Sequence, residues 1–255
     1  MGRSPTARHG VTVQLSRFCA VVVLAQLVLA CSPDPFSTVD AGSDDGAVLA
    51  DARKDGADGD GMAPDFCSTI PNAAFCDEFE RTSVRGTWTT LNVTGSATAA
   101  IVPGWSGSAL HASADGAGAR AFLARPVANV TDWQLWLDMA VAAAPGPTPI
   151  ARVETPNESV TLEVDGSLVR IAWGASPTER AELGTFKGVQ RVQLAREQGA
   201  GVLRVRIGGQ AVANLPLGTK PGGAAVVAIG VLDVAMGGSV ATDVRIDRVA
   251  FALGN

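Results

Sequence analysis

The 255-residue sequence contains no tyrosine, and aromatic residues of all kinds make up 5% of it. Tyrosine combines a flat ring with a hydrogen-bonding group, so its absence weighs against a specialised ring-built sugar site. Histidine is nearly missing as well, with only His9 and His111. Any hydrolytic triad in the body of the chain would have to use His111, and no nucleophile-elbow motif lies near it. That residue reads as an edge or surface position of a strand. Basic residues are outnumbered, 20 Lys and Arg against 25 Asp and Glu. Without a basic footprint the chain cannot hold a phosphate backbone, which excludes nucleic acid as a partner. There is no glycine-rich strand-to-helix phosphate loop, because the glycines fall between short apolar runs, where they turn the chain. Long helical periodicity is nearly absent. The longest N-terminal apolar run, Phe18–Ala30, spans thirteen residues broken only by Gln26, well short of the roughly 20 that a membrane-spanning helix needs.

What stands in that N-terminal region fits export. Arg3, Arg8 and Arg17 precede the apolar run as a basic n-region, so residues 1–30 read as a secretory signal. The run ends Val28-Leu29-Ala30-Cys31, which resembles the lipobox of bacterial lipoprotein signals. That resemblance implies lipidation of the Cys31 thiol by palmitate-type chains, cleavage before it, and anchoring to a membrane; a plain secretory signal cut near Ala30 and an uncleaved anchor are the other readings. Ser32 follows the cysteine, and in the resembling class the lack of aspartate there implies the outer membrane or cell surface. Loss of residues 1–30 removes three arginines and no acids, taking the net charge from -5 to -8.

Residues 31–66 read as the lipidated cysteine and a disordered acidic tether. Residues 32–66 hold nine aspartates against Arg53 and Lys54, a net of -7, with too few apolar side chains to offset the entropy of ordering. Asp55-Gly56-Ala57-Asp58-Gly59-Asp60-Gly61 resembles calcium-loop spacing but lacks the glutamate at the twelfth position. No metal site and no cofactor is therefore expected, with calcium at this loop as the alternative reading. Residues 67–255 suffice for one domain. Cys67 and Cys76 form an even pair in an oxidising compartment, and a disulfide between them is expected. It would pin the first strand of the domain beside the tether.

The domain is predicted to be all-β. Trp133, Leu135, Leu137, Met139 and Val141 share one parity of a strand, and Gln134, Trp136, Asp138 and Ala140 the other. Val160, Leu162 and Val164 alternate with Thr161, Glu163 and Asp165, and Asp165-Gly166 marks a hairpin leading to Val169, Ile171 and Trp173. Further strands are expected over Thr185–Leu194, at Leu203-Val205-Ile207, after Gly208-Gly209 over Ala211–Leu217, and over the central run Ala225–Val234. Inward parity shifts between Ile246 and Val249, which predicts a bulge. Such a pattern of short strands with Gly/Pro turns makes a two-sheet antiparallel jelly-roll sandwich.

Phe75-Cys76-Asp77-Glu78-Phe79-Glu80, Gly86-Thr87-Trp88 and Gly107-Ser108-Ala109-Leu110, with the pair Val189–Leu194 and Val202–Gly209 and the ending Val244–Phe251, resemble the concanavalin A-like, laminin-G-like jelly-roll lipoproteins of myxobacteria. The resemblance covers nearly all of residues 67–255 and concerns fold signatures. For chemistry, Glu163-Val164-Asp165 matches half of the Glu-x-Asp-x-x-Glu pattern of laminarinase-type glycosidases, but position 168 is Leu where a second catalytic acid belongs. No catalytic residue is therefore assigned, and the chain is expected not to be an enzyme. Trp136, with Gln134 and Asp138 on the same face, forms the candidate binding surface. Arg204 and Arg206 share one face, which reads as an ordinary solvated sheet surface, with contact to an anionic glycan as the alternative. The expected function is a non-enzymatic cell-surface lipoprotein recognising polysaccharide or envelope protein. A structural or assembly role and polysaccharide cleavage are the alternatives.

Overall fold

A computed structural model describes residues 65–175, 179–218, 222–235 and 241–254. The signal, Cys31 and the acidic segment up to residue 64 lie outside the described residues. A short 3-10 turn, Phe66–Thr69, leads into thirteen strands. These are β1 (Ala73–Asp77), β2 (Thr90–Pro103), β3 (Ser108–Val130), β4 (Trp133–Ala143), β5 (Thr148–Glu154), β6 (Ser159–Asp165), β7 (Leu168–Gly174), β8 (Glu179–Thr185), β9 (Gln190–Glu197), β10 (Val202–Ile207), β11 (Gln210–Pro216), β12 (Gly223–Val231) and β13 (Thr242–Leu253). Among the described residues no helix is long and apolar enough to cross a membrane.

All strand pairs are antiparallel, in the order β11-β10-β9-β4-β13-β3-β12-β5-β6-β7-β8. The long strand β3 turns this ribbon into two layers. Its first part pairs with β13, from Leu110↔Ile246 to Ala114↔Thr242, and its second part with β12, from Ala121↔Val231 to Val130↔Gly223. Between them stand Gly116 and Gly118, opposite Gly95 of β2, all with positive φ (83°, 76° and 71°); β2 shifts register at the same place. Only glycine adopts that geometry without strain, so both strands bend there together. Sheet one is thus β11-β10-β9-β4-β13, flanked by β1 and the start of β3, and sheet two is the end of β3 with β12-β5-β6-β7-β8. Across the opposite side Trp173 Nε1 of β7 donates to Pro216 O of β11 at 2.9 Å, drawing the sandwich toward a barrel. The architecture is the jelly roll that the alternation predicts.

Inward parity is as expected for β4, β6, β7, β9 and β10, whose Leu135, Leu137, Leu162, Ile171, Leu194 and Val205 are fully buried. Each such side chain contributes about 1.5–3 kcal/mol of transfer free energy. Phe251 stacks on Phe75 and Trp133, with centroids 5.8 and 5.9 Å apart. One charged pair joins this interior: Arg196 of β9, 2% exposed, meets Glu158 in the β5–β6 turn and donates to Thr131 O at 2.7 Å. It links a strand of sheet one to a turn of sheet two.

The signature residues turn out to be structural. Buried Asp77 accepts from Trp88 Nε1 at 2.7 Å and Phe79 N at 2.8 Å, and pairs with Arg81. Glu80 accepts from Ser108 N at 2.9 Å, and a Cβ on Gly107 would strike that carboxylate. Cys67 and Cys76 form the expected disulfide. The bulge falls where parity predicts, between Ile246 and Arg248, leaving Asp247 as the extra residue. Two strand expectations need correction. Thr185–Leu194 is not one strand, because Phe186 turns inward and Gly188 (φ 60°) reverses the chain between β8 and β9. The central run ends at Val231, three residues early, where Leu232 N leaves the ladder for Pro149 O.

Candidate functional site

Two outer faces carry polar side chains, one on each sheet. On sheet one the register aligns Ala250, Trp136, Gln193 and Arg206 in a row across β13, β4, β9 and β10. The row to one side is Ala252, Gln134, Ala195 and Arg204, and to the other Arg248, Asp138 and Arg191. The three sequence-predicted residues thus share a face, but their surroundings differ. Gln134 accepts from Gln193 Nε2 at 3.1 Å. Both line a shallow pocket of about 190 Å³ with Ala195, Glu197, Arg204 and Arg206. Trp136 is half-buried between the outer rows. Asp138 is committed elsewhere: Arg191 grips both its oxygens at 2.6 Å, and Arg248 stands 4.0 Å away. Those bonds raise the Arg191 guanidinium above its ordinary range.

Phe66, the second described residue, caps that row. Its ring lies under the guanidinium groups of Arg191 and Arg248, 5.0 and 5.6 Å from their central carbons. Beside it, buried Asp247 accepts from Ser106 and sits 3.6 Å from Arg248 Nε. Burial pushes its carboxyl above the usual range. Glu78 is likewise raised, first by burial and then by its hydrogen bond with Asp65. Asp65, Glu78 and Cys67 offer atoms within one metal-sized cluster, but the Cys67 sulfur is spent in the disulfide. Glu78 already accepts from Cys67 N at 3.2 Å, so this is a capped chain entry and an unsuitable donor set.

The face of sheet two is built differently. One row runs Ala124, Ala228, Arg152, Thr161, Ala172 and Arg180 across six strands, and a second runs Glu163, Arg170 and Glu182 across three. The small members form a sunken floor: Thr161 is 2% exposed although it points away from the core. Long arginines stand over it, with Arg152 Nε donating to Thr161 at 3.2 Å. At one end a space of about 290 Å³ is walled by Phe122, Val226, Leu232, Arg120, Arg152 and Glu154, among others. At the other end about 340 Å³ lies between Pro147, Glu163, Arg170, Arg180, Ala181 and Glu182. Arg170 joins Asp165 at 2.6 Å to Glu182 at 3.4 Å. Glu163 is 7% exposed; its Oε2 makes no hydrogen bond and lies 3.6 Å from Arg180 Nε.

This trough was only half visible in the sequence. Glu163 and Asp165 were, but Arg152, Arg170, Arg180 and Glu182 were not, because their partners lie on other strands. Alternation along Leu168–Gly174 was the available signal for Arg170. Register also places Glu182 of β8 in the row of Glu163, two strands away with Arg170 between them. Guanidinium groups match anionic sugar substituents bidentately, carboxylates accept hydroxyls, and the apolar end suits the C–H face of a pyranose. His111 has no such setting. It meets Asp243 at 2.9 Å beside a neighbouring strand.

No protein-family model matches the chain, and no curated protein matches it. Solved structures do. The fold is similar to one described under "endo-acting O-glycanases" of the human gut microbiota that "initiate mucin breakdown", with 10% identity and TM-score 0.51 over 72% of this chain and 100% of that one. A glycosyl hydrolase family 16 protein of Mycobacterium smegmatis has 15% identity and TM-score 0.46, over 70% and 99% of the two chains. The chain also matches a sialidase at 12% identity and TM-score 0.46, over 65% of its own length but 17% of that protein. At these identities the O-glycanase likeness concerns the fold alone, an antiparallel jelly-roll sandwich. The expectation that the chain is not an enzyme is corrected by that likeness, since the O-glycanase structure carries the same fold and the fold therefore gives no ground for excluding an enzyme.

Proposed function

We propose that this chain is a lipid-anchored protein of the bacterial outer membrane or cell surface that engages polysaccharide in the trough of sheet two. Cys31 carries the lipid in this reading, and residues 32–64 hold the domain away from the membrane. The observation that carries the glycan assignment is the continuous row from Ala124 to Arg180, a floor of small side chains overhung by arginines and opening into a space at each end. Retention on a panel of neutral and anionic polysaccharides, with product release followed in the same samples, tests it. Arg152→Ala is expected to weaken retention about tenfold, equivalent to ~1.4 kcal/mol, while Trp136→Ala leaves it unchanged. Loss on Trp136→Ala alone would move the site to the Gln134 pocket of sheet one, and a folded protein retaining nothing would end the glycan reading.

The Oε2 of Glu163, buried and without a hydrogen bond, favours a second reading, cleavage of the retained glycan with Glu163 as acid or base. Here Glu163→Gln removes product release and preserves retention. Absence of products from every retained polysaccharide would refute it.

A further inference from the structure

We propose that β2 is a dimer edge, where residues Thr90–Thr94 pair antiparallel with the same residues of a second copy of the chain. An open strand edge presents unpaired backbone N–H and C=O groups, and folded proteins ordinarily guard it with charge, proline or shortness. The edges at the two ends of the strand order are guarded in this way. β8 carries Glu179, Arg180 and Glu182, and β11 ends in Pro216, whose carbonyl is tied to Trp173. β1 is only five residues long. By contrast, β2 runs for fourteen residues without a charged side chain, and among the described residues its only ladder partner is β3.

The side chains along that edge define the neighbour it lacks. Leu91 and Val93 stand opposite Leu123 and Ala121, so they share the core-facing parity of the sheet. Yet they are 39% and 43% exposed, whereas Leu123 and Ala121 are fully buried. Two large apolar side chains of inner parity at an open rim call for an apolar, uncharged strand alongside, and the segment itself is one. An antiparallel pair centred on Asn92 sets Leu91 against the second copy's Val93 and Thr90 against its Thr94, so each side chain meets one of its own kind. Neither copy brings a charge that the other must neutralise. Both open edges are consumed in one self-complementary contact, so assembly closes at two. Gly95 limits its extent: with φ 71° it bends the strand, and the β2–β3 register shifts between Thr94 and Ser96. The contact stands whether or not the trough of sheet two holds glycan.

Facing residues of an antiparallel pair have Cα atoms about 4.5–5.5 Å apart, a span that a disulfide bridges. In the full chain, mild oxidation of an Asn92→Cys variant is therefore expected to link position 92 of two chains, as read by peptide mapping. Linkage should run about tenfold faster than for Thr98→Cys, exposed on the same strand beyond the Gly95 bend, because only position 92 meets its own copy at high effective concentration. Sedimentation of the parent chain should give twice the mass of one chain. Val93→Lys should weaken that association at least tenfold while keeping the parent's circular dichroism, and Thr98→Lys should leave it unchanged. A parent that sediments as single chains at every concentration would overturn the proposal, as would a dimer that folded Val93→Lys leaves intact. Equal linkage at positions 92 and 98 would do the same. So would a ladder of higher species, since the edge would then add strands without closing.

Discussion

The two outer faces use the same kinds of side chain to opposite ends. On sheet one the acid of the Asp138 row is consumed locally: Arg191 takes both oxygens of Asp138, and Arg191 and Arg248 lie over the ring of Phe66. On sheet two Arg170 is shared between Asp165 and Glu182 and Arg180 stands near Glu163, yet Glu163 keeps an oxygen free of hydrogen bonds. The difference lies in what covers each face. The chain entry lies across one, and small floor residues leave room above the other. Charge content alone therefore says little about a binding surface until the partners of each charge are known.

The comparison is broken most severely by Arg196→Met. Removing one partner of a buried pair strands Glu158, at a cost of about 3–5 kcal/mol. Because the pair joins the two layers, denaturant unfolding should show one destabilised transition, and polysaccharide retention should fall with it. The double substitution Cys67→Ser/Cys76→Ser removes a cross-link spanning nine residues of sequence, worth ~2.5–3 kcal/mol in the loop-entropy model. It should lower Tm while leaving retention per folded molecule unchanged, since it acts at the entry to sheet one. Phe66→Ala loses two ring–guanidinium contacts, roughly 1–2 kcal/mol together, and should expose Arg191 to faster modification by a dicarbonyl reagent. Asp247→Asn has the smallest effect and is read through pH. The folded state of the parent protein holds the Asp247 proton more tightly than the unfolded chain does. Parent stability relative to the variant should therefore rise as pH falls through the folded-state pKa toward 3.8. A difference in Tm that is flat between pH 7 and pH 3 would contradict the burial of that carboxyl.

Strand parity was legible wherever large apolar residues alternate with polar ones, as in β4, β6 and β10, because burial of one face imposes a period of two. The bulge at Asp247 was legible for the same reason, as a break in that period. The long β2–β3 hairpin was not. Its alanines, glycines, serines and threonines differ too little in hydrophobicity to mark an inside, and the corner depends on glycine φ angles that only the fold reveals. The site was legible in proportion to its locality. Gln134, Trp136 and Asp138 lie on one strand and were found together, yet Asp138 was already committed to Arg191, 53 residues away. The trough draws single residues from six strands, so only Glu163 and Asp165, neighbours on β6, stood out.

The position of β13 bears on how the chain must be made. It is the last strand in order, yet it lies in the middle of sheet one, between β4 on one edge and both β1 and β3 on the other. A chain emerging N-terminus first therefore holds three strands with unmatched edges until residue 253 arrives. Such edges invite pairing with other chains. Synthesis and any translocation must outpace that pairing, or a holding chaperone must shield it, and truncation anywhere before Thr242 should yield aggregates instead of a smaller folded domain.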